Sequence, residues 1–234
     1  MSIAENLNAV RQRIAAAARR ARRSPHEVAL MAVTKTFPPE RIREAYDAGQ
    51  RLFGENRVQE FAGKFGALRD LAGAEFHMIG HLQSNKAAKA AEVFSAVDSV
   101  DSLHLAEKLN AAAARTGKTI PILLELNLGG EESKSGLAPD SPALQELLRA
   151  AASLENLTWR GLMTIPPFTE DPEGARPYFQ RLRELRDRIA VQKLPRVGMD
   201  VLSMGMSHDF EVAIEEGSTC VRLGTAIFGQ RTKD

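Results

Sequence analysis

Eight short β-rich runs alternate with helical patterns along the chain, and this alternation constrains the fold more than any other feature. Strands that alternate with amphipathic helices typically form a parallel sheet with right-handed crossovers. The sequence therefore predicts an α/β fold with eight parallel strands, which are expected at 28–36, 51–54, 76–80, 94–100, 120–128, 158–166, 200–205 and 220–228.

Eight strand–helix units can close such a sheet into a (β/α)8 barrel of the TIM type. The length of 234 residues is close to the usual minimum for that barrel, so we expect a single domain over residues 1–234. An open doubly wound sheet is the alternative, but no Gly-x-Gly-x-x-Gly motif follows the first strand. An extra N-terminal helix is also predicted, with a Ser2–Glu5 capping box before apolar residues at helical spacing, Ile3, Leu7, Val10 and Ile14.

Composition excludes several classes of protein. Lys and Arg number 31 and Asp and Glu number 30, so nothing predicts general attraction to nucleic acid. The arginines at 19–23 are interpreted as a solvated helix end, with a nucleic-acid patch as the alternative. A single cysteine, Cys220, excludes an internal disulfide. Without a signal-peptide core or a membrane-length apolar run, we expect a cytoplasmic protein with no membrane partner.

Lys35 ends the first predicted strand, and this position makes it the leading candidate for chemistry. In a barrel of this type, ligands bind at the carboxyl ends of the strands. A partly desolvated lysine has a lowered pKa and can form a Schiff base with an aldehyde. Taken alone, however, a strand-end lysine is more often a structural residue.

The ends of the last two strands have the features of a phosphate site. Barrels commonly bind phosphate in the loops after strands seven and eight. Ser207 is expected to begin a helix over 207–216, and Gly224 and Thr225 follow strand eight. Together they predict a phosphate cradle. Taken singly, Ser207 is better explained as only an N-cap and Gly224 as only a tight turn.

Arg222 lies between Val221 and Leu223 in an apolar strand, so its buried guanidinium requires an acceptor. One candidate is a carboxylate such as Glu125, in a structural ion pair. The other is the ring nitrogen of a pyridine cofactor, since proteins tune pyridoxal phosphate through a partner at that atom.

The remaining strand ends offer weaker candidates. Glu55 and Asn56 are interpreted as a possible general base and a ligand-orienting amide. His81 is a candidate metal ligand or proton carrier. A zinc site is not predicted, because the sequence has no helical His-x-x-x-His pair and no clustered cysteines. The five histidines are interpreted mainly as surface or loop residues.

These segments together resemble the pyridoxal phosphate homeostasis protein family. Each motif is weak by itself, but they occur in family order over nearly the whole chain. The matching segments are Ala32-Val33-Thr34-Lys35-Thr36, 53–60 (FGENRVQE), 77–86 (HMIGHLQSNK), 133–136 (SKSG), 161–163 (GLM), 202–207 (LSMGMS) and 221–229 (VRLGTAIFG).

The resemblance implies a barrel related to the N-terminal domain of alanine racemase. It implies that Lys35 carries pyridoxal 5'-phosphate (PLP) as an internal aldimine and that Arg222 faces the pyridine nitrogen. It also implies phosphate contacts from Ser207, Gly224 and Thr225, and ring contacts from Asn56, His81 and Met204. No role is assigned to His208.

The same resemblance implies a regulator or carrier of PLP that influences amino-acid and keto-acid balance, without established catalytic turnover. PLP-requiring apoenzymes are then candidate partners, and a monomer is expected. The alternatives are a PLP-dependent racemase or lyase, and a barrel that binds a sugar phosphate without a Schiff base. Racemases of the related fold need a second acid–base group from an extra domain. We expect this sequence to lack that domain, since it ends six residues after Phe228.

Overall fold

The structure is a computed structural model that describes residues 2–131 and 135–229. Within these ranges eight parallel strands close into a barrel in chain order, with β8 paired to β1. The predicted barrel is therefore confirmed, and the open sheet is excluded. The strands are β1 (Ala29–Val33), β2 (Leu52–Glu55), β3 (Glu75–Met78), β4 (Ala96–Val100), β5 (Ile120–Leu126), β6 (Leu157–Thr164), β7 (Val197–Ser203) and β8 (Cys220–Leu223).

Helices connect the strands and cover the outside of the barrel, as right-handed crossovers require. The α-helices of the described ranges are α1 (Ile3–Arg20), α2 (Pro39–Asp47), α3 (Val58–Phe65), α4 (Ala87–Val93), α5 (Leu103–Arg115), α6 (Pro142–Ala150), α7 (Arg176–Val191), α8 (Phe210–Glu215) and α9 (Thr225–Phe228). No helix in the described part of the chain is both long enough and apolar enough to cross a membrane.

The extra N-terminal helix is confirmed, and its sequence explains it. The Ser2 hydroxyl accepts the Glu5 amide at 3.2 Å, and the Glu5 carboxylate accepts the Ser2 amide at 2.7 Å. The apolar face of α1 is buried, and its opposite face is charged. At its basic end, Arg20 pairs with Glu211 and Glu215 of α8. These exposed pairs support the interpretation as a solvated helix end.

Two predicted boundaries near the chain end are wrong. The eighth strand does not continue to 228: it ends at Leu223, and the amides of Ile227 and Phe228 bond to the Gly224 carbonyl to form α9. The helix expected from Ser207 begins at Phe210 instead. The Asp209 carboxylate accepts the Met206 amide at 2.6 Å, which organises residues 206–209 as a turn.

The barrel interior near the amino ends of the strands contains a partly buried ion pair that was not predicted from the sequence. His77 is not a surface residue: its Nδ1 lies 3.1 Å from an Asp98 carboxylate oxygen, and its Nε2 lies 3.6 Å from Glu75. Burial opposes protonation, but the two carboxylates raise the pKa of His77 to about 9. Cys220 is buried nearby, and burial raises the pKa of its thiol to about 12.

Candidate functional site

A cavity of about 440 Å³ opens at the carboxyl ends of the strands, where the sequence predicted a ligand site. Because the strands are parallel, the last inward-facing side chain of each strand lies at this same end of the barrel. Seven of the eight predicted site residues line it: Lys35, Asn56, His81, Ser207, Arg222, Gly224 and Thr225. The barrel therefore brings together residues from five strand ends, those of β1, β2, β3, β7 and β8, that are distant in sequence.

Lys35 reaches the mouth because β1 alternates its side chains between the barrel interior and the surrounding helices. Thr34 is fully buried on the helix side, where its hydroxyl donates to Glu55 Oε1 at 2.7 Å. Its amide donates to the Gly54 carbonyl at 2.9 Å, which continues the β1–β2 ladder. Period-two alternation then directs the half-buried Lys35 to the inside.

The side of the mouth that Asn56 lines depends on a close approach of the ends of β2 and β3. A Cβ at Gly80 would lie 2.4 Å from the Asn56 carbonyl oxygen, so only glycine fits there. His81 follows directly, with Nδ1 3.2 Å from Asp101 and about half of its side chain exposed. Glu55, the candidate general base, is fully buried and lies outside the lining of the mouth.

Arg222 is buried beneath the mouth, and two protein groups accept its hydrogen bonds. One guanidinium nitrogen donates to Ser203 Oγ at 2.6 Å and another to the Thr164 carbonyl at 2.8 Å. Within the described ranges its hydrogen bonds do not go to Glu125, so the structural ion pair is not formed. Burial lowers the pKa of the guanidinium. An arginine has five N–H donors, and these two bonds leave donors for an acceptor in the mouth.

Glu125 is a mouth residue that the sequence interpretation did not assign to the site. It is 5% exposed, and Ser135 donates to its Oε1 at 3.1 Å. Its Oε2 has no hydrogen-bond partner in the part of the chain that the structure describes. Burial raises the pKa of this carboxyl, against the opposing hydrogen bond from Ser135. The flanking leucines signalled burial but not the direction of the side chain.

The predicted phosphate cradle joins two loops at one side of the mouth. Ser207 Oγ accepts the Ala226 amide at 3.4 Å, which links the loop after β7 to the start of α9. A Cβ at Gly224 would meet only the Val33 carbonyl and Cβ, at 3.5 and 3.6 Å. These are ordinary contacts, so the protein itself does not need glycine there. The missing side chain leaves space in the mouth instead.

Met204 is the predicted site residue that the structure does not bring to the mouth. It is fully buried in the main hydrophobic core. Because Ser203 faces inward to Arg222, alternation sends Met204 to the helix side, and Gly205 then turns the chain at φ +96°. Met206 lines the mouth in its place, together with His208, whose Nε2 lies 3.0 Å from the Glu170 carbonyl.

Two further parts of the chain are the candidate metal ligands and the polar loop at 131–136. Among the residues that the structure describes, no group of three His, Cys, Asp or Glu side chains could hold a metal ion. His77 and His81 lie at opposite ends of the barrel, in agreement with the sequence interpretation. Of the loop, residues 132–134 lie outside the described ranges.

Comparison with known proteins identifies the relatives of this chain. The profile for the alanine racemase N-terminal domain matches residues 6–232. The pyridoxal phosphate homeostasis proteins of Aquifex aeolicus and Pseudomonas aeruginosa are each 47% identical to it over 231 residues. The alignments cover 99% of this chain and 99% of the first protein, and 98% and 96% for the second. This chain belongs to the pyridoxal phosphate homeostasis protein family.

Solved structures agree with this assignment. PipY of Synechococcus elongatus, solved with PLP bound, superposes with a TM-score of 0.85 at 38% identity, over 97% of this chain and 100% of PipY. Alanine racemase from Streptomyces coelicolor gives a TM-score of 0.71 at 20% identity, over 96% of this chain and 59% of the racemase. The second likeness is one of fold.

Proposed function

We propose that this protein binds PLP in the barrel mouth, with Lys35 as the covalent attachment point, and acts in intracellular PLP homeostasis. The observation that carries the proposal is the convergence of an amine, a buried guanidinium and an anion cradle on one cavity. The shared family name and the PLP-bound relative PipY support it.

Each group in the mouth has a chemical role in this proposal. Lys35 would hold the cofactor covalently, because a primary amine condenses with an aldehyde with loss of water. Arg222, which Ser203 and Thr164 already hold in place, would provide an N–H donor for the pyridine nitrogen. Ser207, Gly224 and Thr225 would hold the phosphate. Asn56 and His81 would contact the ring.

The chain's own residues favour a holder of the cofactor over an enzyme. PLP supplies electron-sink chemistry when its ring nitrogen is protonated, and a permanent cation at that nitrogen discourages protonation. Tyr46 donates to the Ala72 carbonyl on the outside of the barrel, and Tyr178 lies in α7, so neither serves the mouth as an acid. An open mouth also lets amines exchange with Lys35. We propose that this exchange supplies apoenzymes and influences amino-acid and keto-acid balance.

Titration of the purified protein with PLP tests the proposal. We expect a visible imine band, and borohydride reduction should fix the cofactor on the peptide that contains Lys35. Lys35→Ala should lose the band. Lys86→Ala, which removes a partly exposed lysine after β3, is the matched control and should keep it. An unchanged band and adduct in Lys35→Ala would show that Lys35 is not the attachment point. Binding of sugar phosphates without any reducible adduct would favour the barrel without a Schiff base.

A separate assay tests the racemase or lyase alternative. The PLP-loaded protein is incubated with a panel of amino acids in deuterated water, and chiral inversion, Cα deuteration and cleavage products are followed. We expect none above the rate of free PLP. Multiple turnovers with any amino acid would make the protein an enzyme.

A further inference from the structure

A second lysine lies behind the segment that carries Lys35. Lys64 is in α3, outside the barrel wall, and is only 9% exposed. Its ammonium donates to the main-chain carbonyls of Thr34, at 3.4 Å, and Phe37, at 3.1 Å. These two residues flank Lys35 in the chain. One ammonium group thus ties together both sides of the short segment from which the mouth lysine projects.

Thr36, the residue directly after Lys35, has a backbone conformation that requires external support. Its φ of +68° is in the left-handed region, which a β-branched residue rarely occupies. Such a conformation is energetically unfavourable and persists only where its surroundings fix it. Here the Thr36 amide donates to Glu60 Oε1 at 2.7 Å. The same oxygen accepts from Lys64 at 3.0 Å.

The third member of this cluster is Glu55, which is fully buried. Its Oε1 accepts from Lys64 at 2.9 Å and from the Thr34 hydroxyl at 2.7 Å. Burial raises the pKa of Glu55, with Lys64 acting in the opposite direction. Burial also opposes ionisation of Glu60, but the Thr36 amide and Lys64 hold its pKa below the usual value. We call Lys64, Glu55 and Glu60 the Lys64 clamp.

A buried ion network of this kind is weak evidence for stability, since well-packed apolar residues commonly stabilise a core at least as well. Its contacts are better explained by the backbone segment that they hold in place. Four of its hydrogen bonds go to Thr34, Thr36 and Phe37, which leaves the backbone on either side of Lys35 little freedom.

We propose that Lys64 is a positioning residue for Lys35: through the Lys64 clamp it fixes the backbone of residues 34–37 so that the Lys35 amine is presented to the ligand in the mouth. This inference rests on the proposed attachment of PLP at Lys35. It also separates the roles of two neighbouring lysines. Lys35 lines the mouth, whereas the Lys64 ammonium lies outside the barrel wall on four acceptors, so the two lysines have different roles in this proposal.

Glu60→Ala is the most informative variant, because it removes the acceptor for the Thr36 amide while Glu55 still pairs with Lys64. The Glu60 side chain is 30% exposed, so the fold should tolerate the change. Without PLP, we expect faster hydrogen exchange at the Thr36 amide. With PLP, we expect binding weakened about tenfold to a hundredfold, since small misplacements of a reacting group have effects of this size. Glu60→Gln retains an acceptor oxygen and should restore most of the binding.

The matched control is Glu44→Ala, which breaks an exposed ion pair with Arg41 on neighbouring α2 and should change neither measurement. A Glu55→Gln/Lys64→Met double variant removes the two buried charges together, and the charge that remains, Glu60, is partly exposed and still accepts the Thr36 amide. It should bind PLP as weakly as Glu60→Ala, with circular dichroism and thermal melting as checks of the fold. If the double variant unfolds, the Glu60→Ala result alone tests the positioning role.

Two outcomes separate this inference from the proposed function. Faster exchange at Thr36 with unchanged PLP affinity in Glu60→Ala would overturn the positioning role and leave the clamp a purely structural feature. Absence of a Lys35 adduct in the unmodified protein would overturn the proposed function instead. The exchange measurement uses no PLP, so the two failures cannot be confused.

Discussion

At the scale of single residues, Gly224 and Gly80 differ in whether the fold itself requires a glycine. Its φ of −110° is accessible to any residue, and an added Cβ would make only ordinary contacts with Val33. Gly80 is the opposite case, because its added Cβ would overlap the Asn56 main chain. One glycine therefore serves the cavity, and the other serves the packing of two strand ends.

We predict that Gly224→Ala changes the free energy of unfolding by less than about 1 kcal/mol and weakens PLP binding about tenfold, as if about 1.4 kcal/mol of phosphate contact were lost. Urea denaturation and spectral titration measure the two quantities. Gly80→Ala is the control and should reduce stability substantially. Wild-type affinity in Gly224→Ala would show that no phosphate approaches this position.

The site residues also show how far single residues could be predicted. Seven of the eight could be placed from sequence, because carboxyl ends of parallel strands meet at one mouth whatever their exact register. The positions of Met204 and Glu125 depend on which way each side chain points from its strand. Flanking apolar residues do not reveal that direction. His77 depended on inter-strand register: β3 pairs His77 with Ala96, which brings Asp98 within reach.

At the scale of elements, α1 shows how a helix outside the barrel supports the mouth. Its Asn6 side chain donates to the Ile227 carbonyl of α9 at 2.8 Å, and α9 follows the Gly224 loop directly. The buried face of α1 includes Leu7, which is fully buried, whereas Arg13 on the same helix is exposed and pairs with Glu211.

We predict that Leu7→Ala lowers the free energy of unfolding by about 2–5 kcal/mol, through lost burial and the cavity that remains. Arg13→Ala should lower it by less than about 1 kcal/mol, since exposed ion pairs contribute little. Urea denaturation of the two variants provides the comparison. Equal effects would mean that α1 is held by its charges and not by its apolar face.

Element boundaries were the least predictable level. The capping box of α1 was readable because its signals are local. The ends of β8 and α8 were not, because they depend on tertiary partners. Beyond Leu223 the chain turns into α9, and before Phe210 the buried Asp209 side chain binds the Met206 amide. The apolar periodicity of the sequence contains no information about either contact.

At the scale of the whole molecule, the His77–Asp98 pair makes stability depend on pH. The folded-state pKa of about 9 lies above the ordinary value of 6.5. A raised histidine pKa contributes stability that is complete below about pH 6.5 and is lost as the pH rises through 9. The contribution is on the order of a few kcal/mol, because each pKa unit corresponds to about 1.4 kcal/mol.

We therefore predict that the free energy of unfolding falls between pH 6.5 and 9, as measured by urea denaturation at fixed ionic strength. His77→Asn should flatten this decline, because asparagine does not titrate. Comparison of slopes isolates His77 from other titrating groups. A variant with the wild-type slope would show that the histidine is not charged in the folded protein.

Pairing of the first strand with the last has a consequence for biosynthesis. β1 and β8 are neighbours, with Met31 opposite Arg222, so Lys35 and the residues that complete its pocket come from opposite ends of the chain. A ribosome-bound chain that has not yet released β8 carries Lys35 but neither Arg222 nor the Gly224 loop of the mouth. Retention of PLP would thus be restricted to finished, closed molecules, and nascent fragments would not sequester it.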